Sequence, residues 1–299
     1  MKSTKDSTRS DIASEDSSFR RRTNAIKRAL SKNPVMGLGI VVVIIFVIIA
    51  FAAPVITPVG PKDVNTINRL QPPNTEHWFG TDTLGRDVFT RTVYGTRISL
   101  LVGFSVAVIT MVFGTMIGII VGYFRKIDAI LMRVMDGLMA IPTLLLAIAL
   151  VAAIGASVQN VIISLVLVET PILSRLIRAS TLSLREQIFV EAARSIGANP
   201  IRVMALHIFP NTIAPLIVQG TYICATAILI EAGLSFLGAG TSPENASWGN
   251  MIAQGRSYIE IAVWMITFPG IALTVAILGI NLAGDGLRDA LDPKLARRM

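Results

Sequence analysis

The chain runs from Val35 to Ala53 without a single charged side chain, and it does something similar five more times. A helix that crosses a bilayer needs about 20 mostly apolar residues. Backbone polar groups inside hydrocarbon must be satisfied within the segment, so only helices or closed barrels can span. The runs define spans at about 35–56, 98–123, 134–154, 158–177, 212–234 and 261–283. None shows the apolar/polar alternation of a barrel strand. Only Gly155-Ala156-Ser157 separates the third run from the fourth, which predicts a tight helical hairpin. The expected fold is an all-α polytopic membrane protein with six transmembrane helices. The first run is too long, and begins too far in, for a signal peptide, and no clean cleavage site follows it.

Charge then orients the bundle. Only 15% of residues are charged, against roughly 25% in soluble domains, yet the net charge is +8. With the N-terminus inside, the cytoplasmic segments hold 21 of the 27 Lys and Arg residues. The outer loops hold 6, balanced by Asp63, Glu76, Asp82, Asp87, Glu244 and Glu260. That asymmetry predicts N-in and C-in. The bases are scattered between apolar runs, which excludes a nucleic-acid surface. One cysteine, Cys224, and two histidines leave neither a disulfide framework nor a metal-ligand set. Residues 1–33 read as a disordered basic cytoplasmic tail, with Arg20-Arg21-Arg22 to Lys32 at the lipid surface. Residues 34–299 read as one transmembrane domain.

One inner loop, 180–210, is long and patterned. Leu184–Ile196 reads as a helix with Ile188, Phe189, Ala192, Ala193 and Ile196 on its apolar side. Gly197 stands at its C-terminus. Asn199-Pro200 reads as the N-cap and first residue of a second short helix, which Pro210 closes. Glu191 is spaced to pair with Arg194. Such a helix-turn-helix either docks a partner protein or packs on its own bundle.

Glu191-Ala192-Ala193-x3-Gly197, followed by Ile208-Phe209-Pro210, resembles the EAA loop of ABC importer permeases. His207 and Phe209 replace the Ile and Leu of the usual pattern. Three further segments are similar to the second permease subunit of the dipeptide/oligopeptide branch. They are Phe79-Gly80-Thr81-Asp82-x2-Gly85-Arg86-Asp87, then Leu234-Ser235-Phe236-Leu237-Gly238 with Trp248-Gly249, and Asn281-Leu282-x-Gly284-Asp285-Gly286 through Pro293. The resemblance implies a type I ABC importer permease fold in a bacterial inner membrane. It implies half of a peptide pore, paired with a second permease subunit, most simply a different chain. Two ATPase subunits would bind ATP and Mg, and an extracytoplasmic binding protein would deliver the solute. Glutathione, nickel complexes or opines are alternative cargoes within the branch. The coupling residues it implies are Glu191, Ala192, Ala193, Gly197, Asn199, Pro200, Ile208 and Pro210. Asp82, Arg86, Asp87, Phe236 and Trp248 are candidate contacts for the binding protein.

The chain has no catalytic constellation of its own. No lysine follows a glycine, so there is no P-loop, and ATP hydrolysis falls to another polypeptide. Charges inside spans are functional candidates by default. Asp136 is spaced to pair with Arg133. Glu169, mid-span and two residues before Pro171, is a candidate for the substrate pathway. Glu231 is another, facing the pore mouth or an outer arginine. These carboxylates are what an ion-coupled carrier would use, but the patterned loop argues against that class. A membrane-embedded enzyme lacks its reactive residues here.

Overall fold

The computed structural model describes residues 34–291, so the basic tail 1–33 and Pro293 lie outside the described residues. The helices are α1 (Pro34–Ile56), α2 (Val88–Tyr123), α3 (Arg125–Met139), α4 (Thr143–Ile154) and α5 (Val158–Arg185). They continue with α6 (Ile188–Ser195), α7 (Pro200–Val203), α8 (Phe209–Phe236), α9 (Trp248–Gly255) and α10 (Trp264–Leu291). Five stretches are long and apolar enough to cross a membrane, and α3 with α4 makes the sixth if the bent pair is one span.

That third span departs from expectation. It bends by 91° between α3 and α4, at Ala140-Ile141-Pro142. Pro142 cannot donate a helical hydrogen bond, and its ring disfavours helical backbone at Ile141. The part before the bend carries Arg125, Lys126, Asp128, Arg133 and Asp136, too many charges to share the apolar path of α4. The expected Asp136–Arg133 pair is replaced by one across helices. Asp136 binds Arg175 of α5. One turn further along α5, Arg178 makes a bidentate contact with Asp128, Nε–Oδ1 2.5 Å and Nη2–Oδ2 2.6 Å.

The other boundaries shift because helices outrun hydrocarbon. α2 begins ten residues before its apolar run, capped by Asp87, whose Oδ2 accepts Thr90 N at 2.7 Å. At 36 residues it is about 54 Å long, well beyond a core of about 30 Å. The turn at 155–157 is as tight as expected, and Ser157 Oγ accepts Asn160 N at 3.1 Å.

The most extensive helix pairing is between α2 and α5, which run parallel. Added Cβ atoms at Gly114, Gly118 and Gly122 would collide with Leu173, Ile177 and Thr181 in turn. Glycines four residues apart on one face let two backbones approach, which in lipid is a main source of helix association. Around this seam Val102, Val106, Leu165, Ile223 and Ile228 form a solvent-free core. Met36, near the start of α1, packs against Gly286, near the end of α10. The first and last described helices therefore have their outer termini on one side of the bundle, as N-in and C-in requires.

Candidate functional site

The inner loop is shorter than 180–210 suggested, because α5 runs on to Arg185 and α6 starts only at Ile188. α6 ends in a Schellman turn. Ala198 N donates to Ala193 O at 3.1 Å and Gly197 N to Arg194 O at 2.9 Å. Gly197 has φ +83°, a left-handed conformation that glycine adopts without a Cβ penalty. Asn199 Oδ1 caps the next helix through Ile201 N at 3.0 Å, with Pro200 as its first residue. Pro210 does not close that helix, contrary to expectation. A π-helical turn, Met204–Ile208, precedes it, with Phe209 N donating to Met204 O. The wider turn absorbs the missing donor and the bulk of the ring, which would break a plain α-helix. Pro200–Phe236 is thereby one continuous 37-residue element.

The apolar side of the loop divides in two. Val190, Ala193, Val203 and Ile208 are buried in the core. Ile188, Ala192 and Ile196, spaced i, i+4, i+8, form a stripe facing away from the bundle. Ile188 and Ile196 are 84% and 86% exposed, and Ile201 beside them is 70% exposed. Glu191, Gly197, Asn199, Pro200 and Pro210 are exposed as well.

Two arginines anchor this unit, a role the sequence reading gave to neither. Arg194 does not pair with Glu191. Its Nε donates to Tyr123 Oη at 3.2 Å and its guanidinium lies 4.7 Å from the Tyr123 ring centroid. Arg185, only 8% exposed, donates Nη1 to the carbonyls of Gly122 and Tyr123 at 3.3 Å each. Those carbonyls lack helical partners at the C-terminus of α2, where a cation is favoured. A basic residue in the last turn of a span is a weak signal, and nothing local points to its target.

The two expected pathway carboxylates are not on open surfaces. Glu169 is 3% exposed. It belongs to the α5 stripe Leu165, Leu173, Ile177 that packs on α2, and the register of the glycine contacts sets it level with Thr110. Glu231 is fully buried and meets no arginine. Its Oε1 accepts Ser235 Oγ and Ser247 Oγ, both at 2.9 Å, and so ties the end of α8 to the start of α9.

The outer cap is built on Asp82. Its Oδ1 accepts Leu84 N at 2.8 Å and Arg86 N at 3.0 Å. Its Oδ2 accepts Arg86 Nε at 2.7 Å and Arg91 Nη1 at 2.6 Å. Arg86 Nη2 continues to Gln254 Oε1 at 3.0 Å. Gly85, at φ +72°, passes so close to Asn65 that no Cβ fits. Asp82 and Arg86 are buried, and Trp248 is completely so, with Nε1 on Thr92 O at 3.0 Å. These three shape the cap from beneath and offer no direct contact surface, which corrects their expected role. Asp87, held by His77 Nδ1 at 3.0 Å, is mostly covered. Phe236 is 38% exposed and has the Arg256 guanidinium 5.2 Å from its ring centroid.

The arrangement therefore offers a rigid exposed apolar unit at one end, continuous through α8 with the cap at the other. Residues 114–297 match the family described as binding-protein-dependent transport system inner membrane component. Residues 24–73 match the N-terminal transmembrane domain of oligopeptide transport permease C. A putative peptide transport system permease protein of Brucella abortus is 49% identical over 268 residues, 90% of either chain. A dipeptide transport system permease protein of Alkalihalophilus pseudofirmus is 46% identical, over 90% of this chain and 88% of its own. In fold, the chain is similar to an inward-facing MetNI methionine ABC transporter structure. The TM-score is 0.56 at 20% identity, covering 68% of this chain and 98% of that one.

Proposed function

This chain belongs to the family of binding-protein-dependent transport system inner membrane components, and from that premise we propose that it forms one half of the pore of an ATP-driven peptide importer. It is a multi-pass permease of the bacterial inner membrane with a type I importer fold. Dipeptides and oligopeptides are the cargo class, supported by relatives named for peptide and dipeptide transport at 46–49% identity. A second, different permease chain completes the pore. Two ATPase subunits bind ATP and Mg beneath it, and an extracytoplasmic binding protein delivers the peptide above it.

The exposed stripe Ile188, Ala192, Ile196 carries this reading. Two large aliphatic residues standing in water cost stability unless a partner covers them. Ala192 between them lets that partner's backbone come close. Glu191 offers the cleft a charge, and the Gly197 turn with the Asn199 cap and Pro200 keeps the unit stiff. When the ATPases close on ATP they prefer one position of this unit, and that preference biases the pore between its two states. Ile208 in the core and Pro210 at the start of α8 carry the displacement into the membrane. At the outer end, exposed Phe236 and the cap built over Asp82 and Trp248 form the face toward the binding protein.

The test is co-purification of the ATPases with Ile188→Asp and Ile196→Asp. Each removes the burial of one aliphatic side chain, so ATPase retention falls about tenfold or more while the permease pair still assembles. Wild-type ATPase retention and peptide uptake in both variants would overturn the docking assignment.

A further inference from the structure

The seam between α1 and α2 is not closed. A cavity of about 420 Å³ lies between Val47, Ala50 and Phe51 on α1 and Leu100, Leu101 and Phe104 on α2. Phe104 also lines a second cavity, of about 280 Å³, reached by Ile40 and Val43 of α1, Met111 of α2 and Ile280 of α10. The two make a furrow that follows α1 from Ile40 to Phe51, about 16 Å at 1.5 Å per residue. That is half of a hydrocarbon core of about 30 Å.

Apart from the hydroxyls of Ser105 and Thr221 the lining is apolar until its outer end, where Arg97 stands. Arg97 is exposed, its guanidinium is 5.9 Å from the Tyr94 ring centroid, and no carboxylate pairs with it among the described residues. Its depth follows from the sequence. The charge-free stretch of α2 begins at the next residue, Ile98, and α1 ends five residues past Phe51, at Ile56. Arg97 therefore sits at the outer edge of the hydrocarbon, the level of lipid phosphates. A cation there takes an anionic partner, and basic pockets between membrane helices hold lipid headgroups.

We propose that the furrow holds one acyl chain of an anionic phospholipid of the outer leaflet, with its phosphate on Arg97. The furrow is as long as one leaflet, and its only charge stands where the headgroup lies. This assignment does not depend on which solute the importer carries.

The experiment is native mass spectrometry of the assembled importer, purified in detergent and then supplied with phosphatidylglycerol or phosphatidylcholine. The wild-type complex retains phosphatidylglycerol over phosphatidylcholine. Arg97→Gln lowers that retention about fivefold, the effect of one basic residue at a membrane surface, and Arg97→Lys keeps most of it. Ala50→Phe fills the furrow without touching Arg97 and also loses the lipid, so the test stands even if Arg97→Gln fails to assemble. Equal retention of the two lipids by the wild type, or wild-type retention in both Arg97→Gln and Ala50→Phe, overturns the proposal. So does a disulfide between Phe51→Cys and the second permease, which would place a helix in the furrow.

Discussion

Arg194 lies across the ring of Tyr123 at 4.7 Å and donates to its hydroxyl at 3.2 Å, so the last residue of α2 holds the docking unit in place. Tyr123 ends the helix that packs most extensively on α5, and Arg185 of α5 grips the carbonyl of the same residue. A displacement of α6 thus reaches two membrane helices through one side chain and its backbone.

Removing that contact uncouples the machine without dissolving it. Tyr123→Ala retains the ATPases, because the exposed stripe is untouched, but lowers uptake per ATP hydrolysed several-fold. Tyr123→Phe keeps the ring under Arg194 and loses only a hydrogen bond worth about 1 kcal/mol, so it is milder. Uptake and ATP hydrolysis measured together in vesicles check both variants, and equal coupling ratios in wild type and Tyr123→Ala would sink the prediction.

The glycine seam predicts an unusual intolerance to a single methyl group. A Cβ at Gly118 would lie 2.7 Å from Ile177 Cβ and 2.7 Å from Ser174 O. Gly118→Ala therefore costs about 1–3 kcal/mol of overpacking, read as a lower thermal midpoint and yield of the assembled complex. Trimming Ile177 to alanine does not rescue it, because its Cβ and the Ser174 carbonyl remain.

Gly197 presents the opposite case. Nothing lies within 4 Å of its missing Cβ, and only its φ of +83° demands glycine. Gly197→Ala costs about 1 kcal/mol from backbone strain alone, whereas Gly197→Asn costs less, since asparagine visits this region readily. ATPase retention should fall in that order, with asparagine nearer to wild type.

Glu231 is predicted to act as an acceptor between α8 and α9. Glu231→Gln keeps an oxygen for the Ser235 and Ser247 hydroxyls. Glu231→Ala removes it and leaves a cavity, a loss of about 1–3 kcal/mol or more. Thermal unfolding of the complex separates the two, and identical midpoints would refute the role.

Glu169 is packed against α2 and faces no open surface, so Glu169→Gln leaves the KM for peptide uptake within about twofold of wild type at matched assembly. A tenfold rise, 1.4 kcal/mol at 25 °C, would restore the residue to the substrate pathway.

How much of this could be read beforehand varies by residue. The Gly197 turn, the Asn199 cap and the tight 155–157 hairpin were legible because each depends on a few neighbouring residues. The break at Pro142 was signalled but hidden, since a proline inside an apolar run is compatible with either a kinked span or two helices. The partners of Asp136 and Arg194 were misassigned for one reason. Spacing along a helix proposes an i,i+3 pair, while Arg175 and Tyr123 come from elements that only packing brings near. Trp248, Asp82 and Arg86 lie in outer loops, where exposure was the natural expectation. Their burial follows from a cap that folds over them.

Hydropathy and charge by themselves determined that this chain spans a bilayer with both termini inside, because hydrocarbon tolerates neither charges nor unsatisfied backbone. Local motifs determined the short helices of the inner loop, because caps and left-handed turns need only adjacent residues. The tertiary structure alone decided which carboxylate meets which arginine, which face of α6 is left for a partner, and that Glu169 and Glu231 are packed away from solvent. Those outcomes depend on helices brought side by side by glycine contacts between residues far apart in the chain, such as Gly118 and Ile177.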